Sequence, residues 1–112
     1  MNKLTAIAAI LITTASISWA HSANAFDCRK AKVRAEHAVC GSSSLRYLDE
    51  QLNVEYRYAK TYARSPWFKR RLITSQRKWM RRRNRCGSSR SCLRRVYARR
   101  LAYLENTYQN GN

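Results

Sequence analysis

The sequence predicts an all-α fold: a small antiparallel bundle of three long helices plus a short N-terminal helix, stapled by two disulfides. Apolar residues recur at three-and-four spacing along successive segments, and the strict alternation of a half-buried strand is absent. The four cysteines, an even number, all lie downstream of an export-type leader in a chain of 112 residues.

That leader comes first. Lys3 precedes an apolar run from Leu4 to Ile17, and Ala23-Asn24-Ala25 then supplies a small-x-small cleavage signal. The pattern is that of a secretory signal peptide spanning residues 1–25, cut before Phe26. A membrane helix needs about 20 apolar residues, and Thr13, Thr14, Ser16 and Ser18 dilute this run too early. The expectation is a periplasmic or secreted protein with no transmembrane segment. Removing 25 of 112 residues leaves 87 in a single domain, residues 26–112, near the size at which a core alone barely suffices.

The short first helix falls at about Ala31 to Val39. Gly41-Ser42-Ser43-Ser44 is a turn with capping serines, opening a second helix from about Leu45 to Ala63 whose stripe is Leu45, Leu48, Leu52, Tyr56, Ala59 and Ala63. Ser65-Pro66, an N-cap serine followed by proline at the first helical position, starts the third helix. It runs to about Arg85 with Leu72, Ser75, Gln76, Trp79, Met80 and Arg83 on one face. Gly87-Ser88-Ser89 breaks it. The fourth helix, from about Ser91, carries Leu93, Val96, Tyr97, Arg100, Leu101 and Leu104 at offsets 0, 3, 4, 7, 8 and 11. Tyr108 to Asn112 is a frayed polar tail. Helices of this length are marginal alone, so their stripes must pack against one another.

Charge divides the chain in two. With only Lys3 in the leader, 22 of 23 Lys+Arg and all six acids remain after cleavage, a formal charge of +16. From Phe26 to Tyr56 five bases face five acids, whereas from Arg57 onward 17 bases face Glu105 alone. Arg70, Arg77, Arg81 and Arg85 on one helix and Arg94, Arg95 and Arg99 on the next pool into a broad basic surface interleaved with Trp67, Phe68, Tyr97 and Tyr103. Such a surface attracts lipopolysaccharide, anionic lipid or nucleic acid without sequence reading.

Catalysis is undersupplied. His37 is the one histidine outside the leader, and the chain shows no paired carboxylates, metal-ligand cluster or glycine-rich phosphate loop. No enzyme activity, metal or cofactor is expected. Eleven residues separate Cys28 from Cys40 and five separate Cys86 from Cys92, spacings outside the common zinc patterns. Disulfides are therefore expected, with three pairings open. Four polar residues, Asp49, Gln76, Arg83 and Arg100, interrupt the apolar stripes. They are read as a buried network in which Asp49 accepts from Arg83 or Arg100, because a buried carboxylate is tolerable only when paired.

With these positions placed, the chain resembles the lysozyme inhibitor LprI-like family of small exported helical domains. The resemblance runs through Phe26-Asp27-Cys28, Glu36, Val39-Cys40, Leu45, Leu48-Asp49, Leu52 and Tyr56. It continues through Leu72, Gln76, Trp79, Arg83, Cys86, Cys92-Leu93, Tyr97, Arg100-Leu101 and Leu104. It implies a helical bundle with local disulfides, Cys28 with Cys40 and Cys86 with Cys92, and a protein that binds lysozyme. A lysozyme cleft holds two carboxylates, so Ser88, Ser89, Arg90 and Ser91, held by the second bond, form the candidate inhibitory loop, with Arg90 offered to those carboxylates. The alternative is a polyanion-binding envelope protein, and the oligomeric state is left open.

Overall fold

The structure, a computed structural model, describes residues 27–109. The expected leader, its cleavage point and the last three residues of the expected tail lie outside the described residues. The fold is all-helical: a 3-10 turn at Cys28–Lys30, then α1 (Arg34–Cys40), α2 (Ser43–Thr61), α3 (Pro66–Arg85) and α4 (Arg90–Gln109).

Local chemistry sets most boundaries. α1 begins three residues later than expected because Ala31 is extended (ψ 127°) after the 3-10 turn. Its start is held by the Glu36 carboxylate, which accepts from the backbone N–H groups of Lys32 (2.8 Å) and Val33 (3.4 Å). α2 spans Ser43–Thr61, two residues earlier than expected at each end. Ser42 is the cap, its Oγ accepting from Leu45 N at 3.3 Å, which leaves Ser43 and Ser44 free to enter the helix. The helix stops before Ala63 because Ser65 must be extended (φ −136°, ψ 150°) to precede a proline and cap α3. Ser65 Oγ accepts from Phe68 N at 3.1 Å, and Pro66 opens the helix as expected. Ser89 caps α4, its Oγ accepting from Cys92 N at 3.3 Å. The expected tail is shorter at its start: α4 extends through Gln109.

α2 packs chiefly against α4, while α1 touches α2, α3 and α4. The core holds Ala35 and Val39 from α1, Leu45, Leu52 and Ala59 from α2, Leu72 and Trp79 from α3, and Leu93, Val96, Tyr97 and Leu104 from α4. Each leucine so buried contributes about 1.5–3 kcal/mol. The Trp79 ring meets Tyr97 edge-on at 5.1 Å, and its Nε1–H donates to the Val96 carbonyl at 3.1 Å. Of the expected stripes, Met80 is exposed, Leu48, Tyr56, Ser75, Gln76 and Leu101 are half-buried, and Ala63 is half-buried beyond the end of α2.

The cysteines pair as Cys28–Cys40 and Cys86–Cys92, with Cα–Cα distances of 5.8 and 5.5 Å. The first ties the 3-10 turn to the end of α1; the second closes the α3–α4 corner. No helix among the described residues is long and apolar enough to cross a membrane.

Candidate functional site

One polar cluster joins all four helices. Asp49 of α2, only 2 % exposed, accepts a hydrogen bond from the Tyr97 hydroxyl of α4 at 2.7 Å. Arg83 of α3 is buried and donates to the Asn84 side chain through Nε (3.1 Å) and Nη2 (2.9 Å) and to Glu36 of α1 at 3.3 Å. Burial drives the Tyr97 hydroxyl far above the ordinary tyrosine range and the Asp49 charge adds to it, while Arg83, which also interacts with that hydroxyl, pulls the other way. The hydroxyl thus keeps its proton at neutral pH and donates it in a hydrogen bond to Asp49. Glu36 is held below the usual carboxylate range, first by the Lys32 backbone N–H and further by Val33 N–H and Arg83.

Asp49, Tyr97 and Arg83 thus sit together, as expected for Asp49 and Arg83, and Arg100 is the member of the expected network that is engaged apart from them. Arg100 bonds elsewhere: its Nε donates to Gln76 Oε1 at 2.9 Å and its Nη2 to Ser75 Oγ at 3.0 Å. Tyr97, read from sequence as both a stripe residue and a surface aromatic, is fully buried and donates to Asp49. Glu36 was legible as a position of the family resemblance, with no partner assigned to it. The signal for Tyr97 was its phenol in the middle of the strongest stripe, since a buried tyrosine needs a partner. The cluster ties four helices in one register, and its two carboxylates, Glu36 and Asp49, line one opening.

The candidate inhibitory loop sits at the opposite kind of place, an exposed corner. Ser88, Ser89, Arg90 and Ser91 are all exposed. The non-helical part is shorter than expected: Arg90 and Ser91 form the first turn of α4. The Arg90 Nη2 donates to the Gly41 carbonyl at 3.3 Å, where α1 ends. A cation there complements the helix dipole. Gly87 has φ +56°, the left-handed conformation that lets the chain leave α3 within the disulfide loop.

The arginines expected to form a basic surface, Arg70, Arg77, Arg81, Arg85, Arg94, Arg95 and Arg99, are all exposed. They do not share one face. Arg70 and Arg99 border the α3–α4 side, whereas Arg77 lines an opening between α2 and α3 beside Asp49, Tyr56 and Arg83. Of the aromatics placed on this surface, Trp67 and Tyr103 are exposed and Phe68 is half-buried.

The family described as lysozyme inhibitor LprI matches residues 28–108, which is nearly all of the described chain. The chain belongs to the LprI family. No curated protein and no solved structure matches it. Within the family domain, both disulfides, the Asp49–Tyr97 pair and the Arg83–Glu36 pair all fall inside the matched span.

Proposed function

We propose that this LprI-family protein is an exported envelope component that binds and blocks a lysozyme-type cell-wall hydrolase. The observation that carries the reading is the family match across residues 28–108. Supporting it, the Cys86–Cys92 bond presents Ser88, Ser89, Arg90 and Ser91 at an exposed corner on a rigid base. Arg90 is held there by one long, exposed hydrogen bond to Gly41, which water replaces at little cost. Its guanidinium is free to turn toward a carboxylate pair of the kind a lysozyme cleft holds.

The test is a cell-wall lysis assay with protein lacking residues 1–25. Micromolar protein is expected to slow lysozyme, Arg90→Ala to relieve the block, and Arg94→Ala to leave it in place. Undiminished lysis at micromolar protein and across a range of salt would sink the reading.

A second reading, binding of polyanions such as lipopolysaccharide or anionic lipid, is favoured by the 17 bases facing one acid from Arg57 onward. Its mark is retention on anionic vesicles that collapses as salt rises. Retention indifferent to salt would count against it.

A further inference from the structure

Between α3 and α4 lies a cleft of about 260 Å³ whose wall includes Ser75, Lys78, Arg82, Arg99, Arg100 and Tyr103. It continues, through the shared residues Ser75, Lys78 and Tyr103, into a shallower opening that reaches Trp67, Arg70, Arg71 and Thr74. Cations crowd both parts, and neither is lined by a single acid.

Arg100 makes this more than a charged surface. It is 7 % exposed, and its guanidinium is held by two neutral acceptors, Gln76 Oε1 and Ser75 Oγ. A buried cation is ordinarily offset by a carboxylate; Arg83 has Glu36 for this, but neither of the hydrogen-bond acceptors of Arg100 carries a charge. Two neutral side chains therefore aim and fix a guanidinium at the cleft wall without neutralising it. Lys78, Arg82 and Arg99 converge on the same space.

We propose that this cleft binds a phosphorylated sugar. The phosphate would lie among Arg100, Lys78, Arg82 and Arg99, where guanidinium groups offer paired N–H donors to its oxygens. The sugar ring would extend along the continuation toward Trp67. There an indole 58 % exposed, already carrying Arg71 over its ring at 4.6 Å, stands beside the Thr74 and Ser75 hydroxyls. An indole face with a cationic rim and the Thr74 hydroxyl beside it suits a polar ring bearing an anion better than it suits a lipid chain, which offers that hydroxyl no partner. The site narrows the polyanion reading to one place and one ligand class, and it is separate from the Arg90 corner.

Titration calorimetry of the protein lacking residues 1–25 tests this with N-acetylglucosamine 1-phosphate, inorganic phosphate and N-acetylglucosamine as probes. The sugar phosphate is expected to bind best, inorganic phosphate more weakly and the uncharged sugar not at all. Replacing both rim cations, Lys78→Ala with Arg82→Ala, is expected to raise the Kd of the sugar phosphate by about tenfold or more. Arg94→Ala with Arg95→Ala removes the same charge outside the cleft and is expected to change it by less than about twofold. Trp67→Ala should bring the sugar phosphate down to the level of inorganic phosphate. These substitutions are at exposed positions, and circular dichroism reports whether each variant stays folded.

Equal weakening by the two double variants would overturn the proposal in favour of diffuse charge attraction. Equal affinity for sugar phosphate and inorganic phosphate would overturn it by removing the ring site. No binding of the sugar phosphate, with salt-sensitive retention on heparin intact, would overturn the cleft while leaving the polyanion reading in place.

Discussion

Tyr97 of α4 and Asp49 of α2 meet in the interior through a buried hydrogen bond. Removing the hydroxyl leaves a carboxylate that is 2 % exposed without its 2.7 Å donor. Tyr97→Phe is therefore expected to destabilise the fold by about 1–3 kcal/mol, read by urea denaturation at neutral pH. Because Tyr97 titrates far above an ordinary tyrosine, its proton stays on in the folded state when the unfolded chain gives it up. That contribution is complete below about pH 10, the unfolded value, and is lost as pH rises beyond it. Tyr97→Phe should thus flatten the alkaline limb of the stability curve. Glu36 works in the opposite direction. Its folded value is depressed, so its contribution is present above its ordinary value of 4.5 and is lost as pH falls through the lowered one. Glu36→Gln should lower the melting temperature at pH 7 and weaken its dependence on pH below 5. A melting curve with the wild-type acid limb would show that the Glu36 carboxylate, held by the Lys32 and Val33 N–H groups and by Arg83, contributes nothing through its charge.

At the scale of elements, two covalent staples and three serine caps define where helices begin and turn. In the chain-entropy account, loops this short contribute about 2–3 kcal/mol per disulfide. The Cys86→Ser, Cys92→Ser pair is expected to lower stability by about that amount and to loosen the α3–α4 corner. Gly87→Ala meets the left-handed backbone at φ +56° and should cost about 1 kcal/mol. The two effects are distinguishable, since only the disulfide variant should also lose resistance to proteolysis at the corner. If the corner is the inhibitory surface, both changes weaken lysozyme inhibition more than they weaken stability at α2. Helix content and the order of helices were legible from periodicity, and α3 was placed to its ends because Ser65-Pro66 and Gly87 are strong punctuation. α1 and α2 were placed less well. Which of three successive serines caps α2, and how far Glu36 reaches back to hold the start of α1, depend on side-chain geometry that spacing does not encode.

For the whole molecule, charge governs encounter. Residues 26–112 carry a formal charge of +16, which repels a basic lysozyme at long range. Inhibition of such an enzyme should therefore strengthen as salt rises from low values, while inhibition of an acidic hydrolase should weaken; lysis rates at several salt concentrations measure the sign. An opposite sign with a basic enzyme would place a neutralising contact at the interface.

Periodicity and residue type suffice for the helical class, the four segments and the polar interruptions Asp49, Gln76, Arg83 and Arg100, while the pairing of the cysteines was legible only through the family resemblance. The packing of the helices supplied partners that spacing does not name: Tyr97 donates to Asp49, Arg83 to Glu36, and Arg100 to Gln76 and Ser75. A helix stripe states which side chains point inward, but the choice among several inward donors is made by the crossing of helices. That crossing left Arg100 held by neutral groups at the wall of a cleft without acids.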